Sequence, residues 1–170
     1  SRAHVTSNGT IVTDIAYSRI EVKHGIERIE GQTIYFVDGT AEEFDTLITA
    51  TGYLIDLPFI SRDIIPLESN RLDLFKRMVR PGWPGLYLMG FFNLDSALNM
   101  VYEHQARWVR DIELGEAKMP SVSEMEVDIK RKVDWVKKYY RDSPRHTIEE
   151  EHVPYIQELK KSLKSMRRTA

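Results

Sequence analysis

The sequence predicts a fold of the α/β class, in which a β-meander and further strands precede packed helices. The 170 residues considered by themselves would be classed as α+β. Two observations support this class. Short β-favouring runs separated by turn signals fill residues 18–50, and apolar residues recur at helical spacing in three segments after residue 95. With 170 residues, 42% of them hydrophobic and 29% charged, the composition is that of a globular chain with a core.

The predicted strands occupy the first third of the chain. A short strand at residues 10–13 follows the Asn8-Gly9 turn signal, and residues 19–23 alternate polar and apolar side chains. Three more strands follow at residues 26–29, 33–37 and 44–50, joined by turns at 30–31 and 38–39.

Two apolar strands are expected to end at a glycine. The first leads into Thr51-Gly52-Tyr53, and the second is the glycine-bounded run at residues 85–90. A buried strand that stops at a glycine presents backbone groups at its carboxyl end, where α/β sheets bind ligands. Taken singly, each glycine is better explained as one that only turns the chain or admits a neighbour.

Three helices are predicted after these strands. Asp95 or Ser96 caps the first, which runs to about Glu113 and stops at Gly115. The second opens with a capping box from Ser121 to Glu124 and ends near residues 142–144, and the last spans about 153–165. Four prolines make residues 53–85 mostly irregular.

Several function classes are disfavoured by composition. The chain has no cysteine, which excludes disulfides and thiolate chemistry, and its five histidines lack metal-ligand spacing, so no metal site is expected. A net charge of −2 gives no broad attraction to nucleic acid. No apolar run reaches membrane-spanning length, and no signal peptide is recognisable, so a cytoplasmic location is expected. The absence of a starting methionine suggests a piece of a longer chain.

The nine glycines include no pair at G-x-G spacing, so the chain has neither a dinucleotide fingerprint nor a phosphate loop. A G-x-S-x-G nucleophile elbow is also absent. A complete nucleotide-binding half therefore cannot be assigned to this chain from its own residues.

A set of motifs resembles the C-terminal segment of flavin-containing monooxygenases, the FMO-like family of class B flavoprotein monooxygenases. The agreement runs in order from about residue 18 to residue 163. The matching motifs are Asp45-x-x-Ile48-x-Ala50-Thr51-Gly52-Tyr53 with Pro58-Phe59, Leu86-Tyr87-Leu88-Met89-Gly90-x-x-Asn93, Glu103-x-Gln105-Ala106-Arg107-Trp108, Pro120-Ser121 with Met125 and Asp128-Ile129, and Arg145-His146-Thr147-Ile148 with Tyr155-Ile156.

The resemblance implies the C-terminal part of an FAD/NAD(P)-binding Rossmann-like fold. Residues 1–115 would be the returning part of the FAD-binding domain, with the linker strand at 45–53, and residues 116–170 a helical tail packed on it. The parent would be an oxidoreductase that uses NADPH, FAD and O₂ to oxygenate a nucleophilic N or S centre through a C4a-hydroperoxyflavin. The Gly-rich fingerprints and the active-site asparagine would lie upstream, so the segment is expected to hold no catalytic residue and no activity alone.

The resemblance also implies which residues face the cofactors. The predicted cofactor-binding residues are Thr51, Gly52, Gly90, Asn93 and Gln105. For the motif residue Arg107, an ion pair with Glu103 is favoured over a catalytic role, and Arg145 and His146 are interpreted as structural.

Two alternatives remain open at this point. Baeyer–Villiger and N-hydroxylating monooxygenases have similar A-T-G linkers, so the parent could belong to either. A non-catalytic interaction domain is the alternative of another class, in which exposed helices and an unpaired sheet edge would favour self-association.

Overall fold

The computed structural model describes residues 9–94 and 98–167, which include two compact units. One unit comprises residues 9–52, and the other begins at residue 53. The described ranges contain both strands and helices, in agreement with the mixed class that the sequence predicts. Within these ranges, every helix is too short or too polar to cross a lipid bilayer.

The first unit contains a short helix and a three-stranded antiparallel meander. Helix α1 (Ile11–Ala16) precedes strands β1 (Ile26–Glu30), β2 (Thr33–Phe36) and β3 (Ala41–Glu43), which lie in the order β1-β2-β3. Gly31, with φ of 62°, takes the left-handed conformation that the turn between β1 and β2 requires. The strands predicted at 26–29 and 33–37 are thus confirmed, and the third strand of the meander lies at Ala41–Glu43, before the predicted 44–50.

Three predicted strands of this unit are wrong. Residues 10–13 lie mostly in α1, and residues 19–23 and 44–50 form no strand. The backbone N–H of Phe44 still donates to the carbonyl of Gln32 at 2.9 Å, but pairing ends there. A β-favouring run forms a strand only when a neighbouring strand accepts its hydrogen bonds, and within this unit residues 45–50 have no strand beside them.

The second unit is built on three helices, as predicted. They are α2 (Leu98–Glu113), α3 (Val122–Tyr139) and α4 (His152–Arg167), with a 3₁₀ turn at Pro144–His146 before α4. Gly115, with φ of 73°, ends α2 by donating its N–H to the carbonyl of Ile112.

The capping signals of these helices are partly confirmed. Both halves of the capping box between Ser121 and Glu124 are formed at the start of α3. The predicted caps of α2, Asp95 and Ser96, lie outside the described residues.

Residues 53–94 form irregular structure around an apolar cluster of their own. The predicted strand at residues 85–90 is wrong, because the run makes only an isolated bridge between Tyr87 and Val79. Two tight turns with positive φ at both central residues fold this region back on itself, one at Ser69-Asn70 and the other at Lys76-Arg77. The run at residues 85–90 therefore packs on a turn, and among residues 9–94 and 98–167 it has no extended partner strand.

The main core lies between α2, α3, α4 and the Lys76-Arg77 turn. Trp108 and Tyr155 are its largest fully buried side chains. Other members are Phe75, Met78, Val79, Phe92, Val101, Met125, Ile156 and Leu159. This core holds the helical tail against the segment that ends at Gly90, and so it positions the candidate site.

Candidate functional site

Gly90 ends the apolar run of residues 86–90 in the left-handed conformation, with φ of 76°. A Cβ atom placed there would lie 3.0 Å from Cε1 of Tyr102 on α2. Both observations explain why glycine stands at this position, because the backbone conformation and the close ring each disfavour a larger residue. The chain therefore passes unusually close to the first half of α2 at this point.

Gln105 connects Gly90 to the buried interior. Its Oε1 accepts the backbone N–H of Gly90 at 2.9 Å, and its Nε2 donates to the hydroxyl of Tyr155 at 2.8 Å. The Tyr155 hydroxyl in turn donates to the carbonyl of Lys76 at 2.7 Å. Gln105 is completely buried and Tyr155 nearly so. Both ends of the buried amide are thus hydrogen-bonded, as burial demands.

Burial also fixes the protonation state of Tyr155. Desolvation raises the pKa of this phenol far above its usual value. The hydroxyl, which any tyrosine keeps protonated at neutral pH, therefore also keeps its proton in alkaline solution and remains a donor to Lys76 while it accepts from Gln105.

Asn93 lies three residues beyond Gly90 and pairs with the segment before α4. Its N–H donates to the carbonyl of Ile148 at 2.8 Å, and its carbonyl accepts from Glu150 at 3.0 Å. Its side-chain Nδ2 donates to Oε1 of Glu149 at 3.2 Å. The same carboxylate oxygen lies 2.8 Å from Nδ1 of His146. This agrees with a structural role for the motif that contains His146.

Thr51 and Gly52 belong to the other compact unit. Both are exposed and lie outside regular structure. Gly52 has φ of 86°, and a Cβ atom there would meet nothing within 4 Å. Within the second unit the structure thus brings together Gly90 and Gln105, with Asn93 close in the chain, and in the first unit Thr51 and Gly52 are exposed.

Arg107 forms the expected ion pair with Glu103, at 2.5 Å, with both side chains more than half exposed. This prediction is confirmed. The two residues lie one helical turn apart, and their ion pair stabilises α2 weakly, as exposed pairs of this spacing do.

A buried charged turn was not anticipated from the sequence. Lys76 and Arg77 both have positive φ and nearly buried side chains. Lys76 donates to Asp128 of α3 and Glu158 of α4, and Arg77 donates to Glu150 at 2.8 Å. Two adjacent cations inside the apolar stretch from Leu72 to Val79 are the sequence signal that could have indicated it.

Two grooves of the second unit lie beside α4. One of about 190 Å³ lies between α2 and α4, and one of about 370 Å³ lies between α3 and α4. They are lined by residues other than the five predicted cofactor-binding residues. Neither groove therefore coincides with the candidate site around Gly90.

Comparison with known proteins identifies relatives that match most of the chain. A family model described as FMO-like, flavin-binding monooxygenase-like, matches residues 1–167. Flavin-containing monooxygenase 5 of Homo sapiens is 30% identical over 159 residues, which cover 92% of this chain and 30% of that protein. Trimethylamine monooxygenase of Roseovarius sp. (strain 217) is 36% identical over 107 residues, covering 61% of this chain and 24% of that protein.

Solved structures support the same fold. S-allyl-L-cysteine S-oxygenase from Allium sativum superposes with a TM-score of 0.66 at 22% identity, covering 82% of this chain and 33% of that one. Tmm from Pelagibacter sp. strain HTCC7211 gives 0.60 at 26% identity, covering 86% and 32%. The chain spans about 30% of the length of curated relatives such as flavin-containing monooxygenase 5. The predicted α/β fold of a flavoenzyme segment is confirmed.

Proposed function

The chain belongs to the flavin-binding monooxygenase-like family, and from this premise we propose that it is the C-terminal part of an FAD- and NADPH-dependent monooxygenase. The proposed substrate is a small molecule with a nucleophilic nitrogen or sulfur atom, and O₂ is the oxygen donor. The observation that carries the proposal is the family match over residues 1–167. Bound flavin would supply the redox chemistry, and the protein would position it and exclude water.

The residues around Gly90 fit one wall of a flavin site. Met89 precedes the glycine, and Leu98 lies one helical turn before Tyr102 on the same side of α2. These three side chains are about two-fifths exposed, at 45%, 39% and 38%. Together they offer apolar surface beside a backbone that a side chain would crowd, which suits a planar ring.

The chain's polar groups have separate tasks in this proposal. Asn93 would contact the ring, and the backbone at Gly90 would form part of the surface against which the ring packs. Gln105 would act through Gly90, because its buried amide is bonded to the Gly90 N–H. Thr51 and Gly52 would form the linker beside the cofactors, where the missing side chain of glycine admits close approach.

The domain assignment remains part of the proposal. Residues 1–115 would complete the FAD-binding domain, and residues 116–170 would form the tail packed on it. Because the chain contains no G-x-G pair, the pyrophosphate groups of both cofactors would be held by other parts of the parent. We therefore expect no turnover from the 170-residue chain alone.

An interaction domain is the second candidate function. Tyr53, Leu54 and Phe59 of the second unit are 95%, 83% and 78% exposed, and all lie in or next to the predicted linker. Exposed apolar residues of this kind mark surfaces that another chain or segment covers. Light scattering on the 170-residue chain tests this alternative, because a monomer at micromolar concentration would contradict self-association.

Full-length parent protein tests the main proposal. The purified protein should carry FAD and should oxidise NADPH faster when an amine or a sulfide is added. A panel of amines, sulfides and ketones separates N- or S-oxygenation from Baeyer–Villiger chemistry by the product formed. Absence of bound flavin in the full-length protein would contradict the proposal.

A further inference from the structure

We propose that Tyr155 of α4 is a positioning residue for the cofactor wall, which it holds in place through Gln105 and the backbone of Gly90. The inference rests on the proposed function and goes beyond the predicted site. It assigns to a residue of the helical tail, 65 positions after Gly90 in the chain, a role in cofactor binding.

The direction of each hydrogen bond in this chain of contacts follows from the groups present. The backbone N–H of Gly90 is a donor only, so Gln105 must turn its Oε1 towards it. Nε2 then faces Tyr155, whose hydroxyl must accept that bond and give its own proton to the carbonyl of Lys76. Reversal of the amide would place two donors against each other at Gly90. One arrangement therefore satisfies all four groups.

The far end of this chain of hydrogen bonds is firmly held. Lys76 lies in a left-handed turn, with φ of 49°. Its ammonium group donates to Asp128 at 2.8 Å and to Glu158 at 2.7 Å, so the turn is tied to both α3 and α4. The Lys76 carbonyl therefore offers Tyr155 a fixed acceptor rather than a mobile one.

The other end of these contacts, Gly90, has no side chain with which to fix its own position. Gly90 lacks a side chain, and α2 contacts it through the Tyr102 ring and the Gln105 amide. Without the Tyr155 hydroxyl, the buried Nε2 of Gln105 and carbonyl of Lys76 would both lose their partner. The amide would then be free to rotate, and Gly90 would lose its fixed acceptor. A change at Tyr155 should consequently alter the wall at Gly90.

The test uses full-length parent protein with the substitution Tyr155→Phe, and Tyr87→Phe serves as the matched control. Tyr87 also donates one hydroxyl hydrogen bond, to Glu113 on the surface at 2.6 Å, but it lies outside the chain of contacts. We expect Tyr155→Phe to weaken flavin binding about tenfold and to shift the visible flavin absorption bands. Tyr87→Phe should bind flavin with the affinity and spectrum of the wild type.

A second substitution, Gln105→Met, interrupts the same contacts at their centre. If the residues act together, the double variant should bind flavin about as weakly as Gln105→Met alone. Affinities are measured well below the melting temperature of each variant, so that stability loss alone does not change them. A lowered melting temperature with unchanged flavin affinity and spectrum would overturn the proposal, as would failure of both variants to fold. Wild-type protein that binds no flavin would overturn the proposed function itself.

Discussion

Lys76 donates its nearly buried ammonium group to the Glu158 carboxylate of α4 at 2.7 Å. The other oxygen of the same carboxylate accepts from Lys132 of α3 at 2.9 Å. One carboxylate therefore joins the left-handed turn to two helices of the tail. A buried cation whose partner is removed is costly, so this contact should matter for the stability of the second unit.

Substitution Glu158→Gln should lower the free energy of unfolding by about 2 to 3 kcal/mol at neutral pH. Burial by itself would raise the pKa of Glu158, but Lys132 and Lys76 outweigh it and lower the pKa from 4.5 to about 2. A carboxyl group whose pKa is lower in the folded than in the unfolded state stabilises the fold at pH values above its unfolded pKa. This stabilisation should decline as pH falls from about 4.5 towards 2. Urea unfolding of the chain across this pH range measures it.

The matched control is Asp134→Asn on α3. Asp134 accepts from Lys130 at 2.9 Å, but both side chains are at least 60% exposed. The control should change stability little, and far less than Glu158→Gln, because exposed ion pairs contribute weakly. Equal losses for the two substitutions would contradict the role assigned to Glu158.

Substitution Gly90→Ala should destabilise the chain more than Gly82→Ala. Both glycines have positive φ, 76° and 81°, so each alanine should cost about 1 to 2 kcal/mol. At Gly90 the new Cβ would also lie 3.0 Å from Tyr102, whereas at Gly82 it would meet nothing within 4 Å. The excess should be about 0.5 to 1 kcal/mol by thermal unfolding.

The excess at Gly90 has a further control. In a Tyr102→Ala background the ring is absent, so Gly90→Ala and Gly82→Ala should cost the same. A persistent difference would mean that another contact limits position 90.

Substitution Ser121→Ala should destabilise α3 by about 1 kcal/mol. The Ser121 hydroxyl accepts the N–H of Glu124 at 3.4 Å, and the Glu124 carboxylate accepts the N–H of Ser121 at 2.9 Å. Ser165→Ala, at an exposed position in the last turn of α4, is the control and should be neutral or slightly stabilising because alanine favours helices. Circular dichroism during urea unfolding compares the two. Equal effects would show that the cap contributes nothing.

The three long helices were predictable because their signals are local. The capping box at Ser121, the stop at Gly115 and the apolar spacing act within a few residues, so α2, α3 and α4 are found close to their expected positions. The strands predicted at 44–50 and 85–90 failed for the opposite reason. A strand needs a partner, and local β preference says nothing about whether one is present.

In the candidate site, too, local features could be predicted from the sequence and contacts between distant residues could not. Gly90 and Gln105 were both predicted from motif positions, but the bond between them and its continuation to Tyr155 depend on how α2 and α4 pack. Lys76 and Arg77 were missed, because charged residues are expected at the surface. Their burial depends on carboxylates from Asp128, Glu150 and Glu158, which are distant in sequence.

Substitution Gly52→Ala separates local strain from crowding by the rest of the parent. In the 170-residue chain it should cost about as much as Gly85→Ala, because both glycines have positive φ, 86° and 79°, and open space around them. In the full-length protein, Gly52→Ala should also weaken flavin or NADPH binding about tenfold, since the proposed linker lies beside the cofactors. Flavin content and the KM for NADPH measure this second effect. Unchanged values, with Gly85→Ala as the reference, would contradict the assignment of Gly52 to the cofactor linker.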